Sequence, residues 1–285
     1  MRAIVTGASG FVGRHLTREL ARSMEVVEHR GDVRDAASYA GLGRADVLLH
    51  LAARSSVAES HRDPVGTWDV NATGTLRLLE WARGAGVGRV VLVSTAHVYG
   101  KARRSPIDEE HPRHPASPYG ASKLAAEGLL ESYQASYGIE GVIVRPFNIY
   151  GPGQARGFLV PDVLHQIREG RDLAVGDTSP VRDFLYIGDA VDLLVKAATS
   201  PRAAGAILNL GSGEGHSIGA VIETALRVAG SPLQPRVDPA RFRPAEIPEL
   251  VVDNRRAREL LGWRPTVTLE EGLRRTWAAL AEART

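Results

Sequence analysis

The order of apolar runs and glycine turns predicts an α/β chain: a doubly wound parallel sheet followed by a smaller C-terminal lobe. Three observations carry that prediction. The chain opens on an apolar run, Arg2 to Thr6, that ends in a glycine-rich turn and passes into a helical pattern. Short apolar runs and helical stretches then alternate up to about residue 150, as parallel strands joined by crossover helices require. Beyond that point short helices and strands mix with proline and the regularity drops. The expected division gives residues 1–150 and about 183–212 to the sheet domain, and about 151–182 and 213–285 to the lobe.

The first turn, Gly7-Ala8-Ser9-Gly10-Phe11-Val12-Gly13, has the strand–turn–helix setting of a dinucleotide-binding (Rossmann) loop, in a Gly-x-x-Gly-x-x-Gly spacing. Gly7 permits a tight turn, Gly10 lets the backbone approach a pyrophosphate, and Gly13 allows close helix packing. The free N–H groups of the following helix then face the phosphates. A second strand, Glu25 to His29, runs into Arg30-Gly31-Asp32. The tip of that strand reads the adenosine ribose: a carboxylate suits a 2′-hydroxyl, whereas Arg suits a 2′-phosphate. Arg30 falls at the tip and favours NADP(H) over NAD(H), with Glu28 the competing residue; Asp32 and Val33 would flank the adenine. About a dozen residues separate Arg30 from the next strand, too few for a full crossover, so that unit is expected to be cut down.

The next strand, Val47 to Leu51, leads into Ala52-Ala53-Arg54-Ser55-Ser56. Small residues there leave room for a ligand; the two hydroxyls either touch a polyol or cap the turn. Asp63-Pro64 opens a helix expected to run to roughly Arg83, with Asn71 inside it as a polar core residue or a loop brace. The strand Arg89 to Ser94 ends in Thr95-Ala96-His97, and a hydroxyl at that end could meet both a substrate carbonyl and a phenol. After a loop from Lys101, Ser117-Pro118 starts a long helical pattern headed by Tyr119-Gly120-Ala121-Ser122-Lys123. Residues four apart share a helix face, so phenol and ammonium can enter one site. Bringing a Tyr from pKa 10 to about 7 takes roughly 4 kcal/mol, which one partly buried Lys and a cationic cofactor ring could supply. Such a phenol exchanges protons near neutral pH. Taken alone, a Tyr-x-x-x-Lys pair is also found on ordinary surface helices.

Composition excludes several classes. A formal charge of +2 over 285 residues, without a long Lys/Arg block, gives no nucleic-acid footprint. The absence of Cys removes disulfides, thiolate nucleophiles and Cys-ligated metals, and the nine His form no His-Glu-x-x-His pattern, so no metal site is expected. No apolar run approaches a membrane span, and a strand pattern begins at Arg2, so neither a span nor a signal peptide fits. The expectation is a cytoplasmic protein.

Taken together, Gly7/Gly10/Gly13, Thr95 four before Tyr99, Tyr119 with Lys123, and Arg182-Asp183-Phe184 resemble the extended short-chain dehydrogenase/reductases that act on nucleotide-diphosphate sugars. The resemblance covers essentially the whole chain. It is strongest to GDP-4-keto-6-deoxy-D-mannose reductases, through Ala52 to Val57, Arg145 to Gln154 and Asp238 to Pro248. It implies that Thr95 orients the substrate carbonyl, Tyr119 donates the proton, and Lys123 lowers the Tyr pKa and holds the nicotinamide ribose. The implied cofactor contacts are Gly7, Ser9, Gly10, Phe11, Val12 and Gly13; Arg30, Asp32 and Val33; Leu51, Ala52, Ala53 and Val93; and Tyr119, Lys123, Pro146 and Phe147. The nucleotide sugar would meet Ser55, Ser56, Thr95 and His97, with Asn148 and Arg182 at the diphosphate and Arg243 and Glu246 at the nucleotide ribose. The lobe is then the nucleotide-sugar-binding part. The family's 4,6-dehydratases carry an acidic residue or pair just after the hydroxyl position; Ala96 and His97 stand there, which argues against dehydration. The epimerase-reductases that make fucose use a Cys, and none is present. His97 contacts the sugar, shuttles a proton or is a plain loop residue. The implied reaction is reduction of a 4-keto group on a nucleotide-linked 6-deoxyhexose. The alternative is a 4-epimerase that retains NAD, and a cofactor-binding regulator without turnover is the remote one. The resemblance also implies a homodimer, in which the Asp63–Arg83 and Tyr119–Tyr137 helices form a four-helix bundle.

Overall fold

The computed structural model describes residues 1–170, 172–241 and 248–282. β1 (Arg2–Thr6), α1 (Phe11–Leu20), β2 (Glu25–His29) and β3 (Val47–His50) open the chain. Between β2 and β3 lies one 3₁₀ turn, Ala36–Tyr39. α2 (Val57–Arg62), α3 (Pro64–Trp68), a π-helical turn (Asp69–Thr73) and α4 (Gly74–Gly84) follow. β4 (Arg89–Val93), α5 (Pro118–Tyr137) and β5 (Glu140–Pro146) complete the first half. Ser117 accepts from the Gly120 N–H and Pro118 fills the first helical turn, which is why α5 starts where it does.

Strands β2-β1-β3-β4-β5 and β9 (Ile207–Leu210) form one six-stranded sheet, parallel throughout. Alternate residues face opposite layers. Ala3 and Val5 of β1 pack with Leu16 and Leu20 of α1 and with Leu193 and Leu194 of α7 (Ile187–Thr199). Ile4 turns the other way, toward Leu78 and Leu79 of α4 and Leu130 of α5. The strand order reverses between β1 and β3, so the strand C-termini there open a crevice. The unit expected to be short is short indeed: after β2 the chain makes a single turn and returns inside, leaving β2 as the sheet's edge.

The second half adds β6 (Asn148–Tyr150), α6 (Leu159–Glu169), β7 (Leu173–Val175) and β8 (Val181–Tyr186) before α7. After β9 come β10 (Gly215–Ser217), α8 (Ile218–Ala229), β11 (Pro235–Val237), β12 (Glu249–Leu250), α9 (Arg255–Leu261) and α10 (Leu269–Glu282). β8 pairs with β6, β10 and β12 in a second sheet, and β7 pairs with β11. Their own core, Leu164, Phe184, Ile222 and Leu273 among others, is separate from the two cores of the large sheet.

The helix expected from Asp63 to Arg83 is divided. Asp63 caps α3 through the Gly66 N–H, but the path then widens into the π turn at residues 69–73. Asn71 sits in that turn, buried, with its side chain drawn out to three partners. Its Oδ1 accepts from the Arg54 N–H at 2.8 Å, and its Nδ2 donates to the Arg54 carbonyl and to Ser122 Oγ, both at 3.0 Å. Both readings of Asn71 hold together: it is a polar core residue because it braces the loop after β3. A widened turn supplies the displacement that a regular helix cannot.

Candidate active site

The glycine turn joins β1 to α1 at the switch point. Gly7 has φ +68°, and a side chain there would stand 2.6 Å from the Ala52 amide, so only glycine allows β1 to pass the end of β3. A side chain on Gly13 would lie 2.2 Å from the Gly7 carbonyl, which fixes the close seating of α1. Gly10 is exposed and precedes α1 without a capping side chain, and the helix has no acid in its first turn. The free N–H groups of α1 therefore point at open space free of negative charge, which fits a dinucleotide pyrophosphate.

Behind the loop, His50 is wholly buried. Its Nδ1 lies 2.7 Å from Thr6 Oγ1 and its Nε2 lies 2.9 Å from Thr75 Oγ1. Thr75 spends its proton on the Asn71 carbonyl at 2.6 Å, so it accepts from His50 Nε2–H, and Thr6 donates to Nδ1. Burial pushes His50 down to about 3, which keeps it neutral. Thr6, His50, Thr75 and Asn71 thus connect the glycine turn to Ser122, the residue before Lys123.

Thr95 and Tyr119 come from different elements and meet. Thr95 lies two residues beyond β4, Tyr119 is the second residue of α5, and the Thr95 hydroxyl stands close enough to the phenol to favour its anion. Both are buried, as is Lys123 one turn further along α5. Burial draws Lys123 down to about 8, opposed by the charge of Glu127. Burial also pushes the Tyr119 phenol up, and the Thr95 hydroxyl beside it only partly offsets this. The expected lowering was assigned to Lys123 together with a cationic cofactor ring; burial of the phenol is the cost those two would have to offset.

Glu127 and Arg145 belong to this site although sequence reasoning gave Glu127 no part. Their ion pair, 2.7 Å, is almost fully buried. The available signal was spacing: Glu127 continues the Tyr119–Lys123 face by four residues, and Arg145 interrupts an otherwise apolar strand.

The remaining residues divide. Leu51, Ala52, Ala53, Val93, Pro146 and Phe147 lie at or just beyond the C-terminal ends of β3, β4 and β5, on the edge that carries the glycine turn. Val33 is buried, its carbonyl held by the Tyr39 hydroxyl. Arg34 binds Asp32 and holds its carboxyl down at about 2. Arg30 is exposed at the tip of β2, paired with Glu28 at 2.8 Å, so the two rival ribose readers occupy one spot. Ser56 caps α2 through the Glu59 N–H, as the capping alternative has it, while Ser55 is exposed. His97 is exposed and stands edge-on to the Tyr119 ring, centroids 5.7 Å apart. Asn148 Nδ2 donates to the Asp183 carbonyl at 2.8 Å, and Arg182 donates to the Val181 carbonyl at 2.7 Å. Arg243 and Glu246 lie outside the described residues. Among the described residues no group of His, Asp and Glu could hold a metal, and no helix is long and apolar enough to cross a membrane.

A phosphate-ready turn and a Thr–Tyr–Lys set on one sheet edge define an oxidoreductase built for a nicotinamide dinucleotide. Residues 22–276 match the family described as GDP-mannose 4,6 dehydratase, and the chain belongs to this family of extended short-chain dehydrogenase/reductases. It is 36% identical over 289 residues to the GDP-6-deoxy-D-mannose reductase of Pseudomonas aeruginosa, covering 96% of this chain and 95% of that one. The structure of RMD from Pseudomonas aeruginosa complexed with NADPH matches with a TM-score of 0.92 at 32% identity, over 100% of this chain and 99% of that one. The UDP-glucose 4-epimerase of Thermus thermophilus, in complex with NAD, matches with a TM-score of 0.91 at 33% identity, over 99% of this chain and 100% of that one.

Proposed function

We propose that the protein reduces the 4-keto group of a nucleotide-diphosphate 6-deoxyhexose, with NADP(H) favoured over NAD(H). The observation that carries this reading is the buried set in which the Thr95 hydroxyl stands beside the Tyr119 phenol and Lys123 follows one helical turn on, with Ala96 and His97 where dehydration would need acids. The turn from Gly7 to Gly13 would hold the pyrophosphate, Arg30 the adenosine 2′-position, Asp32 and Val33 the adenine, and Lys123 the nicotinamide ribose. Bound nicotinamide supplies hydride chemistry at the sugar carbon. Thr95 orients the 4-oxygen, and the protonated Tyr119 gives that oxygen its proton as negative charge develops. Asn148 and Arg182 would meet the diphosphate, Arg243 and Glu246 the nucleotide ribose, and Ser55 and His97 the sugar side.

The second reading, a 4-epimerase that keeps NAD, draws on the likeness to the NAD-bound epimerase and on Glu28, which can accept from a 2′-hydroxyl beside Arg30. The two are separated by purified protein assayed with NADPH and a GDP-4-keto-6-deoxy sugar, and in parallel with UDP-hexoses. NADPH oxidation that falls at least about a thousandfold in Tyr119→Phe is the expected result. Co-purified NAD with interconversion of UDP-hexoses, or full activity of Tyr119→Phe, would overturn it. We further infer a cytoplasmic homodimer. Val65, Trp68, Leu76 and Tyr137 form exposed apolar positions on α3, α4 and α5, the helices a four-helix interface would use.

A further inference from the structure

Tyr119, Lys123 and Glu127 occupy every fourth position of α5 and share one buried face. Glu127 reaches the sheet. Its Oε1 accepts from Ser94 Oγ at 2.5 Å and from Arg145 Nε at 2.9 Å, and its Oε2 accepts from a terminal Arg145 nitrogen at 2.7 Å. The other terminal nitrogen of Arg145 donates to Tyr99 Oη at 2.9 Å and to the Glu109 carbonyl at 3.3 Å. Tyr99 in turn donates to Asn209 Oδ1 at 2.6 Å.

Stability alone is a poor reason for this arrangement, since well-packed apolar residues often replace a buried ion pair without loss. Its position explains more. Ser94 immediately precedes Thr95, and Lys123 lies one helical turn before Glu127. One carboxylate therefore ties the strand end that carries the Thr95 hydroxyl to the helix that carries the phenol and the ammonium. We propose that Glu127 is a positioning residue: it holds Thr95 in register with Tyr119, and its charge keeps Lys123 an ammonium.

The surroundings of Lys123 support the second part. On its own helix it is flanked by Tyr119 and Glu127, His50 approaches from β3 as a neutral ring, and Arg145 approaches Glu127 from β5. Arg113, in the loop before α5, stands 3.5 Å from Glu127, and Glu109 from the same loop is turned to the Asn209 N–H. Among these groups Glu127 supplies the negative charge that acts on Lys123. Without it, burial and the released charge of Arg145 would push the same way, toward the neutral amine.

The inference rests on Thr95, Tyr119 and Lys123 being the reacting set, but its first test needs no substrate. The chain has three lysines, Lys101, Lys123 and Lys196, so ¹³Cε-lysine NMR of the full-length protein follows each one, with Lys123→Arg assigning the signal. In Glu127→Gln the Lys123 midpoint should fall by at least about one pH unit while the other two stay put. In Glu127→Asp, which keeps the charge, it should stay within about half a unit. Ser94→Ala removes one hydrogen bond and keeps the ion pair, so it decides the positioning part even if Glu127→Gln fails to fold. It should lower kcat about tenfold with the KM for NADPH unchanged and the melting temperature lower by roughly 3–10 °C, so the protein stays folded under assay. An unmoved Lys123 midpoint in Glu127→Gln, a fallen one in Glu127→Asp, or wild-type kcat in Ser94→Ala overturns the proposal. A wrong substrate class declares itself differently, as a wild-type protein without turnover whose lysine titration still responds to Glu127.

Discussion

Replacing Asp183 by Ala tests how the lobe is fastened to the large sheet. Asp183 lies on β8, fully buried, and its carboxylate gathers three segments. Oδ1 accepts from the Ser212 N–H at 2.7 Å and the Ser212 hydroxyl at 2.8 Å; Oδ2 accepts from the Gly213 N–H at 2.8 Å and the Val252 N–H at 3.4 Å. Ser212 and Gly213 follow β9, the last strand of the large sheet, and Val252 follows β12. Alanine takes the acceptor from two short-bonded N–H groups, one on half-buried Ser212 and one on exposed Gly213, where water can replace part of what is lost, at about 1 kcal/mol each. The Ser212 hydroxyl can turn elsewhere and the Val252 contact is long, so neither adds much. The expected loss is roughly 2 kcal/mol, or a fall in melting temperature of roughly 4–8 °C for a domain of this size. Urea denaturation and a thermal melt measure it. A loss below about 1 kcal/mol would refute the reasoning, because it would mean those N–H groups find other acceptors.

Three further outcomes are expected. Gly13→Ala forces a methyl to 2.2 Å from the Gly7 carbonyl and 2.8 Å from Ala8, all backbone, so NADPH affinity by fluorescence titration should fall at least about a hundredfold, and unchanged affinity would contradict the seating of α1. His50, whose folded pKa of about 3 lies below its ordinary 6.5, favours folding fully above 6.5, and that contribution is lost as pH falls toward 3. Urea midpoints of His50→Leu should therefore decline less between pH 6 and 4, by up to about 1.4 kcal/mol per unit, and an unaltered slope would count against a buried neutral ring. Trp68→Glu should convert a dimer to a monomer in sedimentation at micromolar concentration, whereas a monomeric wild type would remove the interface reading.

Local signals were legible. The glycine spacing, the Ser117-Pro118 start of α5 and the apolar strands are decided by residues adjacent in the chain, and they stand where the sequence puts them. The Thr95–Tyr119 meeting was legible because both follow from strand end and helix start on one sheet edge. What escaped depends on partners far along the chain. The π turn exists because Asn71 is claimed by Arg54 and by Ser122, and no periodicity within residues 63–83 encodes those bonds. The Glu127–Arg145 pair is similar, since each looks like an isolated charge in an apolar pattern until β4, β5 and α5 assemble. The burial of Tyr119 was hidden in the same way, because the helical spacing shows a neighbouring ammonium but not how far the fold removes water from the phenol.

The single turn that replaces a crossover after β2 has a practical consequence. With no outer strand beyond it, Arg30 and Glu28 sit on the rim of the protein, touching each other and little of the core. Both can be rewritten by surface substitution, so on the proposed reading of this tip as the adenosine-ribose site, discrimination between the two cofactors is the property of this scaffold most open to redesign.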